Sequence, residues 1–127
     1  MIVVAAGIVR RQGRILLSQR KPDKQLGLKW EFPGGKLEKG ESPQQALERE
    51  LKEELGVDAR AGRIFDVGFQ ADGDREILML FFFCELIKGE PECLDCNALC
   101  WVKPGQLSGY DLAPADAQVA ARLDAEA

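Results

Sequence analysis

GKLEKGESPQQALERELKEELGV, residues Gly35 to Val57, carries acidic residues through a run that reads as one amphipathic helix. Ser42 is placed to cap its start, and Pro43 suits the first helical position, where no backbone N–H is needed. Gly56 is placed to terminate it after Leu55. Leu47, Leu51 and Leu55 recur on one apolar stripe, and Glu50, Glu53 and Glu54 border that stripe. At these spacings the three carboxylates project from nearly one face, toward a cleft. Each uncompensated pair costs roughly a few tenths of a kcal/mol. A fold that keeps three of them together, with Glu41 near in sequence, calls for a counter-charge, and a divalent metal ion is the obvious one.

Upstream, the runs IVVAAGIV and ILLSQR flank a polar turn with Gly13 at a position suited to positive φ, which predicts a hairpin from Met1 to Arg20. Lys21 to Lys29 is polar, holds Pro22 and Gly27, and reads as a loop. Trp30-Glu31-Phe32 is a short aromatic stretch running into Pro33-Gly34-Gly35, a predicted tight turn whose glycines let backbone approach a ligand closely.

Downstream, a strand is expected around Ile64 to Phe69 and a turn over Ala71 to Arg75. Glu76 to Leu86, EILMLFFFCEL, is the most apolar stretch and predicts a central strand buried on both faces. Its three phenylalanines favour strand over a buried helix. After an irregular segment from Cys93 to Asn97, Ala98 to Val102 reads as a strand, which Pro104-Gly105 ends. From Pro114, helical spacing at Ala115, Val119 and Leu123 predicts a last helix that covers the sheet. The order β-β-β-α-β-β-β-α gives a mixed sheet flanked by helices, an α/β class in one domain over residues 1–127.

Composition narrows the partners. A formal net charge of −4 argues against holding a nucleic-acid polymer by counterion release. Small anions remain possible through metal ions. The chain shows no apolar run of membrane-spanning length and no secretory pattern at Met1, so no membrane partner and a cytoplasmic location are expected. Cys93, Cys96 and Cys100 form a C-x2-C-x3-C cluster, but the chain has no histidine, and reduced packing thiols are expected in place of zinc ligands or a Cys93–Cys96 bridge. Monomer and homodimer stay open.

Gly35, Glu41, Arg49, Glu50, Leu51, Glu53, Glu54, Gly56 and Val57 have the spacing G-x5-E-x7-R-E-L-x-E-E-x-G-V. This matches the Nudix box in full. WEFPGGKLEKGE before the helix and DLAPAD near the end resemble the MutT branch of that family, the nucleoside triphosphate pyrophosphohydrolases. The resemblance implies the Nudix α/β/α sandwich, with the box helix on one side of the sheet and the C-terminal helix on the other. It implies hydrolysis of a nucleoside triphosphate to monophosphate and pyrophosphate.

Magnesium takes an octahedral oxygen shell and keeps several waters. Carboxylates of Glu50, Glu53 and Glu54 with the Gly35 carbonyl form a suitable partial cage, which similarity to the family supports; Mn2+ is a possible substitute. Arg49 is expected to position Glu41 or Glu50. By the same likeness Arg20 resembles the phosphate-binding arginine, with Arg75 a second candidate, and Phe32 and Gly34 are expected beside the substrate. Asp95 stands where the family commonly has a glutamate that binds metal or acts as base, so the general base is open between Asp95 and Glu53.

Asp116 follows Pro114-Ala115 where relatives reading 8-oxoguanine carry asparagine. An ionised aspartate only accepts hydrogen bonds, from guanine N1–H and N2–H2 or from cytosine N4–H2. The expected substrate is therefore 8-oxo-dGTP or another damaged nucleotide, with CTP, dCTP or 5-substituted cytosine nucleotides as the alternative. Asp116 as a simple helix cap, and a non-catalytic nucleotide-binding domain, are competing readings.

Overall fold

A computed structural model describes residues 1–127, the side chain of Asp72 apart. Strands β1 (Ile2–Arg11) and β2 (Arg14–Gln19) form the expected hairpin. Gln12 and Gly13 turn it with φ of 51° and 75°, both left-handed, as the twist of the flanking strands requires. The two strands pair only at Arg10↔Ile15 and Arg11↔Arg14 before they part.

Beyond that point β1 takes β4 (Gly34–Lys36) as its neighbour, through Val4↔Lys36, Ala5↔Gly35 and Ala6↔Gly34. β2 pairs instead with β3 (Trp30–Glu31) and β7 (Ala98–Val102). This splay opens a cleft in the sheet between the β4 and β3 sides. On its other edge β1 runs parallel to β6 (Arg75–Lys88), which pairs antiparallel with β5 (Asp58–Asp72). The sheet is mixed, in the order β3-β2-β1-β6-β5.

Helix α1 (Pro43–Leu55) begins in a reciprocal cap: Ser42 Oγ accepts from the Gln45 N–H at 3.2 Å, and Gln45 Oε1 accepts from the Ser42 N–H at 2.9 Å. Gly56, at φ 71°, ends it. Leu47, Leu51 and Leu55 pack with Ala5, Val9, Leu16, Phe82 and Cys84 on one face of the sheet. Helix α2 (Pro114–Ala125) covers the other face with Ala115, Val119 and Leu123 against Ala6, Ile8, Phe81 and Phe83. The result is the expected α/β/α sandwich. The consecutive phenylalanines of β6 are buried toward alternate faces, as a central strand demands. No helix among the described residues is long and apolar enough to cross a membrane.

The structure corrects three expectations. Gly34 and Gly35 are not a free turn but open a strand. The backbones of β4 and β1 lie so close that a Cβ on Gly34 would collide with the Ala5 carbonyl. The strand expected over Ile64–Phe69 runs from Asp58 to Asp72, because its ladder with β6 carries polar residues that have no strand preference of their own, with register irregularities at Ala61/Ile64 and Ile64/Asp66.

The third correction concerns the cysteines. Cys93 and Cys96 are joined by a disulfide, while Cys84 and Cys100 are free. The Glu92 and Leu94 N–H groups donate to the Leu55 and Glu54 carbonyls at 3.1 and 3.0 Å, folding the β6–β7 loop against the end of α1. The two Cα atoms come to 5.1 Å, inside the window of roughly 4.4–6.8 Å that a bridge needs.

Leu51 is fully buried between α1 and the sheet. Leu51→Ala is expected to cost about 2–5 kcal/mol of unfolding free energy, read as a lower denaturation midpoint at unchanged slope.

Candidate active site

Arg49 organises the first part of the site. Its Nε and Nη2 grip Glu41 at 2.7 and 3.0 Å, Nη2 also donates to the Lys36 carbonyl at 3.0 Å, and Nη1 reaches Glu50 at 3.0 Å and Glu53 at 3.2 Å. The hydrogen bonds to Glu41 come first among the causes that raise the guanidinium pKa, and the same contact holds Glu41 below the usual carboxylate range. The loop before α1, the end of β4 and two helix carboxylates are thus tied by one cation. Glu50 lies directly under Gly35, where an added Cβ would fall within 2.7 Å of both carboxylate oxygens.

Glu54 is one turn beyond this cation. Burial, with the neighbouring acids Glu50, Glu31 and Asp95, pushes its carboxyl up to about 8. Glu54 lines two adjoining cavities together with Arg20 and Glu31. Arg20 Nη1 pairs with Glu31 at 3.0 Å, and its Nε donates to the Gln25 carbonyl at 2.7 Å. Burial nevertheless raises the Glu31 pKa against that pairing. At one end of the groove Lys21 pairs with Asp95 at 2.8 Å, with Lys24 and Cys96 alongside.

At the other end, a cavity of about 240 Å3 is walled by Phe32, Ile77 and Met79 and reached by Gln70 and Asp116. Asp116 is 1% exposed, and its Oδ1 accepts from the Phe32 N–H at 2.9 Å. Burial pushes this carboxyl up to about 8 even though that N–H favours the charged form. It therefore does not cap α2, whose first turn starts from Ala113 without a side-chain cap. That shift favours the protonated form, in which the carboxyl can donate as well as accept.

The NUDIX domain model matches residues 1–123. The chain belongs to the Nudix family. It is 40% identical over 116 residues to a CTP pyrophosphohydrolase from Escherichia coli, covering 91% of this chain and 86% of the relative. It is 39% identical over 126 residues to an 8-oxo-dGTP diphosphatase from Haemophilus influenzae, covering 97% and 91%. The solution structure of the E. coli ORF135 protein superimposes with a TM-score of 0.85 at 37% identity, covering 98% of this chain and 89% of that one. The sandwich described above is the Nudix fold, and the protein is a Nudix hydrolase.

Within this Nudix domain the expected site residues are brought together unevenly. Arg20, Phe32, Gly34, Gly35, Glu54 and Asp116 line one continuous cavity. Glu53 points away, exposed and paired with Arg49, and Asp95 is held by Lys21 at the groove's far end. Arg75 lies beyond, reaching Gln25 at 3.4 Å and lining a neighbouring cavity with Arg20. Among the described residues no three acidic or thiol groups converge as a ready-made metal cage. Sequence reading gave no role to Glu31, Lys21, Gln70 or Met79. Alternation over Trp30-Glu31-Phe32 is the signal for Glu31, since it sends the acid away from the face taken by both aromatics.

For Asp116 the folded pKa lies above the unfolded one. Its contribution to stability is complete below about pH 4 and is lost as pH rises through about 8. Asp116→Asn carries no such loss. The variant's melting temperature, measured against wild type, is expected to gain steadily between pH 5 and pH 8.5, by the equivalent of a few kcal/mol; a difference that stays flat would mean that the carboxyl is already ionised in the fold.

Proposed function

We propose that this Nudix hydrolase cleaves a nucleoside triphosphate to nucleoside monophosphate and pyrophosphate with Mg2+, which Mn2+ can replace, and that 8-oxo-dGTP is the preferred substrate. Cleared in the cytoplasm, such a nucleotide would not reach DNA synthesis. The observation that carries this reading is the position of Glu54, a half-buried carboxyl among acids that lines both the cationic end and the apolar end of one groove. The chain's likeness to a CTP pyrophosphohydrolase and to an 8-oxo-dGTP diphosphatase supports the reaction, and the second of them the substrate.

The donor set fits a hard divalent ion. Glu50, Glu54 and Asp95 offer only carboxylate oxygens, the Gly35 backbone can approach where no side chain intervenes, and the groups acting on Glu54 are all acids. Glu53 joins this set by leaving Arg49. When bound, the ion neutralises phosphate charge and lowers the pKa of an attacking water.

The chain's own groups do the rest. Arg20, with Lys21 and Lys24 at the same end, meets the phosphates. Arg49 keeps Glu50 oriented, and Phe32 backs the base. Glu53 and Asp95, both outside the buried cluster, are the two groups able to take the water's proton.

A protonated Asp116 donates to a base carbonyl such as the purine O6, whereas the ionised form accepts from an amine such as cytosine N4. This chemistry, with the CTP-cleaving relative, also favours a second reading: CTP, dCTP or a 5-substituted cytosine nucleotide.

Pyrophosphate release from 8-oxo-dGTP, dGTP, CTP and dCTP with magnesium tests both readings. The highest kcat/KM is expected for 8-oxo-dGTP, and a maximum at CTP or dCTP would select the second reading. Inactivity on all four would reject both. Glu54→Gln is expected to lower turnover about 10²- to 10³-fold. Without metal its melting temperature should rise, because one member of an acidic cluster has been neutralised.

A further inference from the structure

The loop from Gly89 to Asn97 places Asp95 inside the sequence Cys93-Leu94-Asp95-Cys96, so the disulfide closes directly around it. Three backbone hydrogen bonds dock this loop. The Glu92 and Leu94 N–H groups bind the last carbonyls of α1, and the Asn97 N–H donates to the Gln19 carbonyl at 2.8 Å. None of these bonds involves Asp95, whose side chain is 61% exposed and has Lys21 as its ion-pair partner.

The bridge and the Leu94 N–H bond to Glu54 together limit the backbone between the two cysteines, and the bridge is the covalent part. Cys96 lines the groove and packs against the α1 side of the core, while Cys93 is exposed and open to attack by a thiol. Cys84 is buried and Cys100 half-buried, and both are free thiols outside the Cys93–Cys96 loop. The Leu94 N–H meets the carbonyl of Glu54 itself, so the loop touches the centre of the groove as well as its rim.

We infer that the Cys93–Cys96 pair is a redox switch that positions Asp95, with the bridged form the faster enzyme and the dithiol form the slower. This rests on the proposed part of Asp95 in metal binding. The exchange is closed: two molecules of a monothiol break the protein S–S bond, leave Cys93 and Cys96 as thiols, and form one small-molecule disulfide, so that two electrons and two protons pass to the protein. A disulfide of the same monothiol reverses it. With the bridge open, Asp95 keeps only an exposed ion pair to Lys21, which holds a side chain weakly.

The full chain is brought to equilibrium in oxidised or in reduced monothiol buffer and its thiols are counted after denaturation. Two thiols are expected in the first state and four in the second. The reduced form should show about tenfold lower turnover at subsaturating Mn2+. Its Mn2+ affinity, read from the free-ion paramagnetic signal without substrate, should be weaker by a similar factor. The Leu94 amide should exchange hydrogen faster. The Cys93→Ser/Cys96→Ser double variant should match the reduced form in both buffers, and Asp95→Asn should be slow in both and show no difference between them.

Four thiols in either buffer would overturn the switch, as would equal Mn2+ affinity and equal Leu94 exchange in the two states. Impaired Asp95→Asn with a redox-insensitive wild type defeats this inference alone. Fully active Asp95→Asn defeats the proposed role of Asp95 as well.

Discussion

One guanidinium sets the geometry on which the site depends. Arg49 joins Glu41 in the loop, the Lys36 carbonyl at the end of β4, and Glu50 and Glu53 on its own helix. Opposite charges about 4 Å apart interact with a gross energy of about 4 kcal/mol where the effective dielectric constant is near 20. Differences in helix propensity between ordinary residues are only roughly a few tenths. The acidic face of α1 is therefore held by this cation and not by helical preference. The same contacts keep β4 over the helix, so Gly35 lies on Glu50 with no room for a side chain. The reach of Arg49 ends at Glu53, and Glu54 is left without a counter-charge.

That boundary divides the acidic residues into two kinds. Glu41 is held below its ordinary range by a cation, while Glu54 is pushed up by burial and by its neighbours. At the far end of the groove Asp116 is raised by burial too, with Glu31 adding to it and backbone N–H groups and Arg20 opposing it. Two carboxyls with similar elevated pKa values thus serve unlike surroundings, one polar and one apolar. The splayed strands β1 and β2 make this possible, since strand residues such as Ser18, Glu31 and Gly34 line the groove between the two ends.

Much of this was legible in the sequence, and the reason is periodicity. The leucines of α1, the Ser42 and Gly56 ends and the Phe81–Phe83 run are local patterns whose meaning survives in any tertiary context. The family spacing located Glu50, Glu54, Gly35 and Arg49. What escaped depends on contacts distant in sequence. Gly34-Gly35-Lys36 has little strand preference and becomes β4 only against β1. Cys93 and Cys96 meet where their loop folds onto α1, and the Asp116 carboxyl accepts from a backbone N–H 84 positions away. Glu31 was an acid on a two-residue strand, too short for alternation to stand out.

The bond from Phe32 to Asp116 has a consequence for how such an enzyme drifts. Asp116 stands in the first turn of α2, and that helix is seated by Val119 and Leu123, which never see the groove. Substitutions in this seam shift the Asp116 carboxyl in its cavity while leaving the acidic helix on the opposite layer undisturbed. Inherited variation far from the cleft can therefore reshape one end of the groove and spare the acidic end.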